Sequence, residues 1–524
     1  MKKTITFLLL FLTAQMLIAQ HFDIEFQQCY GGSDTDYPKS IIIVDNGFVS
    51  LGYSFSNDGD VSFNYGKGDF WLVSSAANGQ ILWERNFGGS ESDLPANILP
   101  TPDDGFLLFG DTFSNDGDVG LNKGGCDLWV AKTDSLGNLE WEQSYGGSMN
   151  DYAHDAIIAH DSGYILAGRS FSSDGDVSFN HGLTDVWLVK ISAEGSIEWE
   201  HSYGGTDNDL GSCISQTSDG GYIIGGTTLS RNGDVQCTKG ISAALVIKID
   251  ALGEIQWVQC YGGSYFEGVD DIIQTDDGGY IFLGGTTSSD GDVIGYHGIP
   301  GEANTMDKWV VKLDASGQIE WQRCIGGTGF DKSKIIRQLS DGGYLVGGSS
   351  SSRNGDVSCN QSDPSGYTVI LYKISSIGEI EWTKCLGSQV NNFLRDLHIY
   401  SDYHFLLAAS ARHNGIDVDC DHKGQSDFWI VDIMDTTVSL KEEKKQEIRL
   451  YPNPATTQSW LQLPENISLA QAQIELYSFS GRLLHKAKPS SHFYKIDVAH
   501  LPKGLYLVRL WNGESWLVEK LVVR

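Results

Sequence analysis

Positive charge is scarce in this chain. The 524 residues contain 36 Lys and Arg against 68 Asp and Glu, a formal net charge of −32. Residues 20–435 hold 22 basic and 60 acidic side chains, a net of −38, whereas residues 436–524 hold 12 and 8, a net of +4. A body this acidic repels phosphate, which excludes nucleic-acid binding driven by backbone contacts. Long apolar runs are missing after the first twenty residues, and no later stretch approaches the ~18 that a membrane span needs. The mature chain is therefore expected to have no transmembrane span. No Cys-x-x-Cys pair or Cys/His cluster suggests zinc. No Gly-x-Ser-x-Gly or metalloprotease motif occurs either.

Glycine is abundant instead, with 62 residues, and 14 tryptophans stand in a repeating order. Repeats of this kind decide the fold. An apolar or aromatic residue followed by Gly-Gly recurs at Tyr30, Phe87, Tyr145, Tyr203, Tyr261 and Ile325, with a degenerate copy at Leu386-Gly387-Ser388. The steps are 57, 58, 58, 58, 64 and 61 residues. Gly-Asp-Val recurs at Gly59, Gly117, Gly175, Gly233, Gly291 and Gly355, with a stretched copy at Gly415-Ile416-Asp417-Val418. A tryptophan precedes the first landmark by four residues at Trp83, Trp141, Trp199, Trp257, Trp321 and Trp382. These counts converge on seven units.

Each unit reads as four short strands joined by Asp-x-Gly and other glycine turns, which supply the backbone that tight hairpins need. The seventh unit stops after its third strand, at Phe428–Ile433. The mature N-terminus supplies a lone fourth strand, Ile24 to Gly32, with Phe26 in the tryptophan position. The expected fold is therefore all-β: a seven-bladed β-propeller closed by the N-terminal strand, because radial repetition leaves only short protected edges. An open solenoid, which needs polar caps, is the alternative. Asp341–Gly348 (Asp-Gly-Gly-Tyr-Leu-Val-Gly-Gly), followed by Tyr372-Lys373-Ile374 and Glu381-Trp382, resembles the kelch repeat, loosely and over roughly residues 24–435. That resemblance implies a propeller and carries over no activity.

The ends give the address. Met1-Lys2-Lys3, the apolar run from Ile5 to Ile18 and the small residue Ala19 read as a signal peptide, residues 1–19. The propeller is expected over 20–435 and a charged linker over 436–447. A small Ig-like β-sandwich is expected over 448–524. The tail resembles the type A C-terminal sorting domain of proteins exported by the type IX secretion system of Bacteroidetes. The matching residues are Tyr451-Pro452-Asn453-Pro454, Gly481, Leu501–Val508 with Gly504 and Tyr506, and the closing Lys520-Leu521-Val522-Val523. The resemblance implies passage of folded cargo across the outer membrane by the secretion machinery, followed by release or surface attachment.

Nine cysteines in an exported chain permit disulfides. Cys237, Cys359 and Cys420 each lie two residues after a Gly-Asp-Val valine. Cys29, Cys260 and Cys385 each lie just before a Gly-Gly landmark. The expected pairs are Cys29–Cys420, Cys237–Cys260 and Cys359–Cys385; the alternative is independent buried thiols. Cys126, Cys213 and Cys324 stay unassigned.

Acidic loops are the one chemical candidate. The loop between second and third strands carries Asp58 and Asp60, Asp116 and Asp118, Asp174 and Asp176, Asp234, Asp290 and Asp292, and Asp356. The loop between units carries Asp36, Asp93, Asp151, Asp209, Glu267 and Asp331, with Asn392 in the seventh. Together they are expected to ring one face. Closely spaced Asp oxygens are the chemistry of Ca²⁺ binding, although the EF-hand spacing is absent. The competing reading is that Asp caps backbone amides in glycine turns. Recurrence argues against catalysis, since a catalytic carboxylate pair would be unique. The expected function is a secreted or cell-surface scaffold that binds a glycan or protein through this face or through Tyr265 and Phe266. The alternatives are a secreted polysaccharide-degrading enzyme and a purely structural surface module.

Overall fold

The computed structural model describes residues 22–435 except 364–365, and residues 448–524 except 452, 464–468, 470–471, 479–482, 490 and 512–515. The signal peptide, the linker, Pro452 and Gly481 lie outside the described residues. The chain divides into two units, Met1–Asp435 and Thr436–Arg524. Both are all-β, and no α-helix occurs among the described residues.

The first unit is propeller-like, with seven four-stranded antiparallel sheets among its described residues. Six are meanders in chain order, starting with the strands Asp36–Val44, Asp93–Pro100, Asp151–Ile158, Asp209–Gln216, Glu267–Gln274 and Asp331–Gln338. The seventh starts with Phe393–Ser401 and continues through His404–Ala411 and Asp427–Asp435. Its fourth strand is Phe22–Tyr30, paired so that Tyr30 faces Phe428, Cys29 faces Trp429 and Gln27 faces Val431. Each sheet's first strand packs against the first strand of the next sheet, and that of the seventh packs against that of the first.

The third strands are the core. Asp127–Thr133, Asp185–Ile191, Ala243–Ile249 and their counterparts are buried along their whole length. Both faces meet protein, so these strands read as continuous β-branched and aromatic runs instead of alternating ones. Trp71, Trp129, Trp187, Trp309 and Trp429 are fully buried. Each indole nitrogen donates to a side chain on the fourth strand: Glu84, Glu142, Glu200, Gln322 and, from the N-terminal strand, Gln27. A buried indole needs that partner. Adjacent sheets are latched by the tyrosines before Gly-Gly. The hydroxyls of Tyr30, Tyr145, Tyr203 and Tyr261 donate to the carbonyls of Gly79, Gly195, Gly253 and Gly317, in turns of the next sheet.

The second unit has a three-stranded sheet (Arg449–Tyr451, Gln458–Gln462, Phe493–Asp497). It also has a four-stranded sheet (Leu483–Ala487, Gln473–Ser478, Gly504–Trp511, Trp516–Val523). Leu461 and Ile496 from one sheet and Ile474, Val508, Leu510 and Leu521 from the other share a single apolar core. Asn453 ties the chain entry to the last strand: its side chain donates to the Lys520 carbonyl at 2.6 Å and accepts from the Val522 amide at 2.9 Å. Tyr506 donates its hydroxyl to the Pro502 carbonyl at 2.6 Å.

Candidate functional site

The repeated acids turn out to be occupied by the fold. Asp58, Asp116, Asp174 and Asp290 accept the amides of Ser33, Ser90, Ser148 and Ser264, while Asn232 and Asn354 accept those of Thr206 and Thr328. Asp60, Asp118, Asp176, Asp292 and Asp356 accept amides of the landmark glycines. The amide of Asp234 bonds the Gly204 carbonyl. Each Gly-Asp-Val loop therefore clasps the Gly-Gly connection that leads into its own sheet. Among the described residues no three acidic, His or Cys side chains converge as metal ligands. Ca²⁺ takes six to eight oxygens, whereas these carboxylates are turned toward backbone donors, except that of Asp234, which faces His181 at 3.3 Å; that is the amide-capping arrangement.

The acids expected to ring one face lie below its surface. Asp36, Asp93, Asp151, Asp209, Glu267 and Asp331 are buried, as is Asn392. In the six acids the carboxylate accepts the amide of the glycine four residues earlier and hydroxyls from the second strand and the loop after it. Asp93, for example, takes Gly89, Thr112 and Ser114. The Gly-Gly connection leaves amides that need acceptors inside the protein, and these acids supply them. Five of these acids face another buried acid that opens a third strand: Asp427 with Asp36, Asp69 with Asp93, Asp127 with Asp151, Asp185 with Asp209, Asp307 with Asp331. Sequence reasoning missed the second set, although its signal, Asp two residues before the third-strand tryptophan, recurs. One oxygen of each of Asp36, Asp69, Asp127, Asp185 and Asp307 has no partner. Burial pushes Asp69 and Asp127 up to about 7 and Asp36 and Asp307 up to about 6, and the facing carboxylate adds to the rise.

The structure joins Cys29 to Cys420 and Cys359 to Cys385. The expected Cys237–Cys260 bridge is absent. The repeat register brings the two together, but as thiols hydrogen-bonded to each other. Cys126, Cys213 and Cys324 are buried thiols.

What the repeat does not fill is a cavity among the seven first strands. Each of those strands carries a β-bulge, at Lys39, Ala96, His154, Ser212, Asp270, Lys334 and Arg395. A bulge turns one extra side chain out of the ladder. The seven bulged residues form a waist shared by two chambers, of about 150 and 340 Å³. Beyond the waist the smaller chamber is bounded by polar bonds between neighbouring sheets. Asp396 accepts from Ser40 and the Ile41 amide, Asn97 donates to Asp155, Asp155 accepts the Ile214 amide, and Asp271 accepts the Ile336 amide and Arg337. The larger chamber lies toward the strand starts, the end where the Gly-Asp-Val loops sit. It is lined by Lys39, Lys332, Lys334 and Arg395 with Asp111, Asp270 and His154. Burial lowers Lys39 to about 8, with Arg395 and Lys334 adding to the effect, and burial lowers His154 to about 4. Burial raises Asp111 to about 7. These groups sit where the blade sequences diverge, which is why a repeat-based reading passed over them.

Comparison with known proteins adds the tail's identity. A 168-residue segment is 27% identical to the regulatory protein FlaEY of Caulobacter vibrioides, covering 29% of this chain and 17% of that protein. The chain thus spans less than a fifth of that relative's length. Among solved structures, PorZ, a surface component of the type IX secretion system of Porphyromonas gingivalis, is similar over 94% of this chain and 60% of its own. The identity is 11% and the TM-score 0.35. A PL25 ulvan lyase is similar over 73% of this chain and 93% of its own, at 11% identity and a TM-score of 0.42. Likeness at these scores supports no assignment. Residues 449–524 match the secretion system C-terminal sorting domain, and the protein is accordingly exported by type IX secretion to the cell surface or extracellular space.

Proposed function

We propose that the exported protein is a binding scaffold: a closed seven-bladed propeller, kelch-like in its repeat, displayed by an Ig-like sorting sandwich. In this reading the chain is a signal peptide (1–19), propeller (20–435), linker (436–447) and sorting domain (448–524), and the sorting domain engages the secretion machinery. The pairing of Phe22–Tyr30 with the seventh sheet supports closure. One observation carries the binding role. The acids of the loop face are consumed internally, while large apolar side chains in these loops stay exposed: Phe63, Leu121 and Phe179 two residues after the valine of Gly-Asp-Val, Ile294 one residue after it, and Phe266 in a loop between sheets. Exposed apolar groups clustered on one face mark contact surfaces. The partner is a protein or glycan at the cell exterior.

The test is binding of purified mature protein to glycan and protein arrays. The reading expects a partner whose signal is lost when Phe63, Leu121 and Phe179 are changed to Ser. Turnover of a polysaccharide panel without stable binding would instead favour an enzyme.

A further inference from the structure

Most other lysines in this acidic body are ion-paired; Lys384, which lies over the Phe22 ring, is an exception among the described residues. Lys132, Lys190, Lys312 and Lys373, buried on third strands, each pair with two carboxylates within 3.0 Å, and Lys248 pairs with Asp219. The larger chamber breaks that rule. Lys39, Lys332, Lys334 and Arg395 come from three consecutive sheets, the sixth, seventh and first, and none has a carboxylate within 4.0 Å among the described residues. The Arg395 guanidinium lies against Tyr37 at 5.3 Å and Phe393 at 5.5 Å, and its buried Nε has no partner. Lys39 stacks near Tyr53 at 5.8 Å. Of the two acids present, Asp111 accepts the Ala153 amide, and Asp270 lies near Ser333, whose hydroxyl donates to the Gly284 carbonyl at 2.6 Å. Four cations against two anions leave an excess of two positive charges around one chamber, within residues 20–435, whose net charge is −38.

We propose that this chamber binds a small dianion, with two carboxylate or sulfate groups, held by Lys39, Lys332, Lys334 and the fork of Arg395. Unpaired cations facing one another across a cavity repel, and an anion entering between them relieves that cost. A planar guanidinium braced by two rings presents a rigid fork that matches a carboxylate or sulfate. A volume of about 340 Å³ suits a small molecule or the end residue of a chain. The proposal deepens the scaffold reading and rests on it.

The experiment is a thermal melt and calorimetric titration of the mature chain with succinate, inorganic sulfate, neutral succinamide and dextran sulfate. Succinate or sulfate is expected to raise the melting temperature, more weakly at high salt, and succinamide is not. Binding of dextran sulfate alone, with no response to succinate or sulfate, would count against a small dianion. Lys39→Gln with Lys334→Gln should weaken the dianion at least about tenfold. The same pair should leave the melting temperature of the free protein unchanged or higher. Arg395→Lys, which keeps charge and loses the fork, should weaken it less. No response to any dianion at millimolar concentration, or undiminished binding by the double variant, overturns the proposal. Array binding retained in that case leaves the scaffold reading standing; dianion binding without any array partner does the reverse.

Discussion

Two kinds of carboxylate in this protein, those hydrogen-bonded to a buried lysine and those pressed against a second carboxylate, respond to pH in opposite directions. Burial would raise Asp219 and Asp277, but hydrogen bonds from Thr217 and Lys248, and from Thr275 and Lys312, hold them down at about 2. Their stabilisation is present above the unfolded value of 3.8 and is lost as pH falls toward 2. Asp36, Asp69, Asp127 and Asp307 are raised to about 6 to 7, so the folded state holds protons that the unfolded state releases. Their contribution is full below 3.8 and is lost as pH rises through 6 to 7. The melting temperature of the first unit should therefore peak at about pH 4 and decline until about pH 7. A flat profile, or a rise from pH 5 to 8, would count against proton sharing at these pairs. The glycine between each pair has no room for a side chain: a Cβ on Gly146 would lie 2.4 Å from Asp127 and 2.8 Å from Asp151. Gly146→Ala should lower stability by about 1–3 kcal/mol in denaturant unfolding.

At the level of strands, a buried tryptophan on the third strand holds together five of the seven sheets. Trp129→Ala removes a fully buried ring and strands Glu142, so a loss of about 3–5 kcal/mol is expected from chemical unfolding. The N-terminal strand does for the seventh sheet what a contiguous strand does for the others, and Gln27 takes the place of the fourth-strand glutamates. The Cys29–Cys420 disulfide spans 391 residues, a very long loop for a cross-link to close. Replacing both with Ser should cost about 2–5 kcal/mol and should expose Phe22–Tyr30 to limited proteolysis first. If the strand stayed protected, its pairing would not depend on the bridge.

For the whole molecule, internal satisfaction of the acids predicts indifference to calcium. Calcium and chelator should give the same melting curve for residues 20–435, and a shift of several degrees would revive a metal site. The sorting domain predicts location. Removing residues 449–524 should leave folded first unit in the periplasm, read by fractionation of the producing cell; surface delivery of the truncated protein would mean a second export signal.

The sevenfold repeat, the missing fourth strand of the last unit and the character of the tail were legible in the sequence, because strand pairing and glycine turns obey short-range rules that repeat with the chain. The fate of the repeated acids was not. Asp93 and Asp116 look alike in a row of letters, and burial depends on which backbone amides a Gly-Gly connection leaves pointing inward. The cavity was invisible for the opposite reason. Lys39, Lys332, Lys334 and Arg395 share no motif and come from sequence positions more than 350 residues apart at the extremes. Periodicity along a chain specifies the blades; only packing of seven first strands side by side, each with one bulged residue, gathers four unrelated cations around one space.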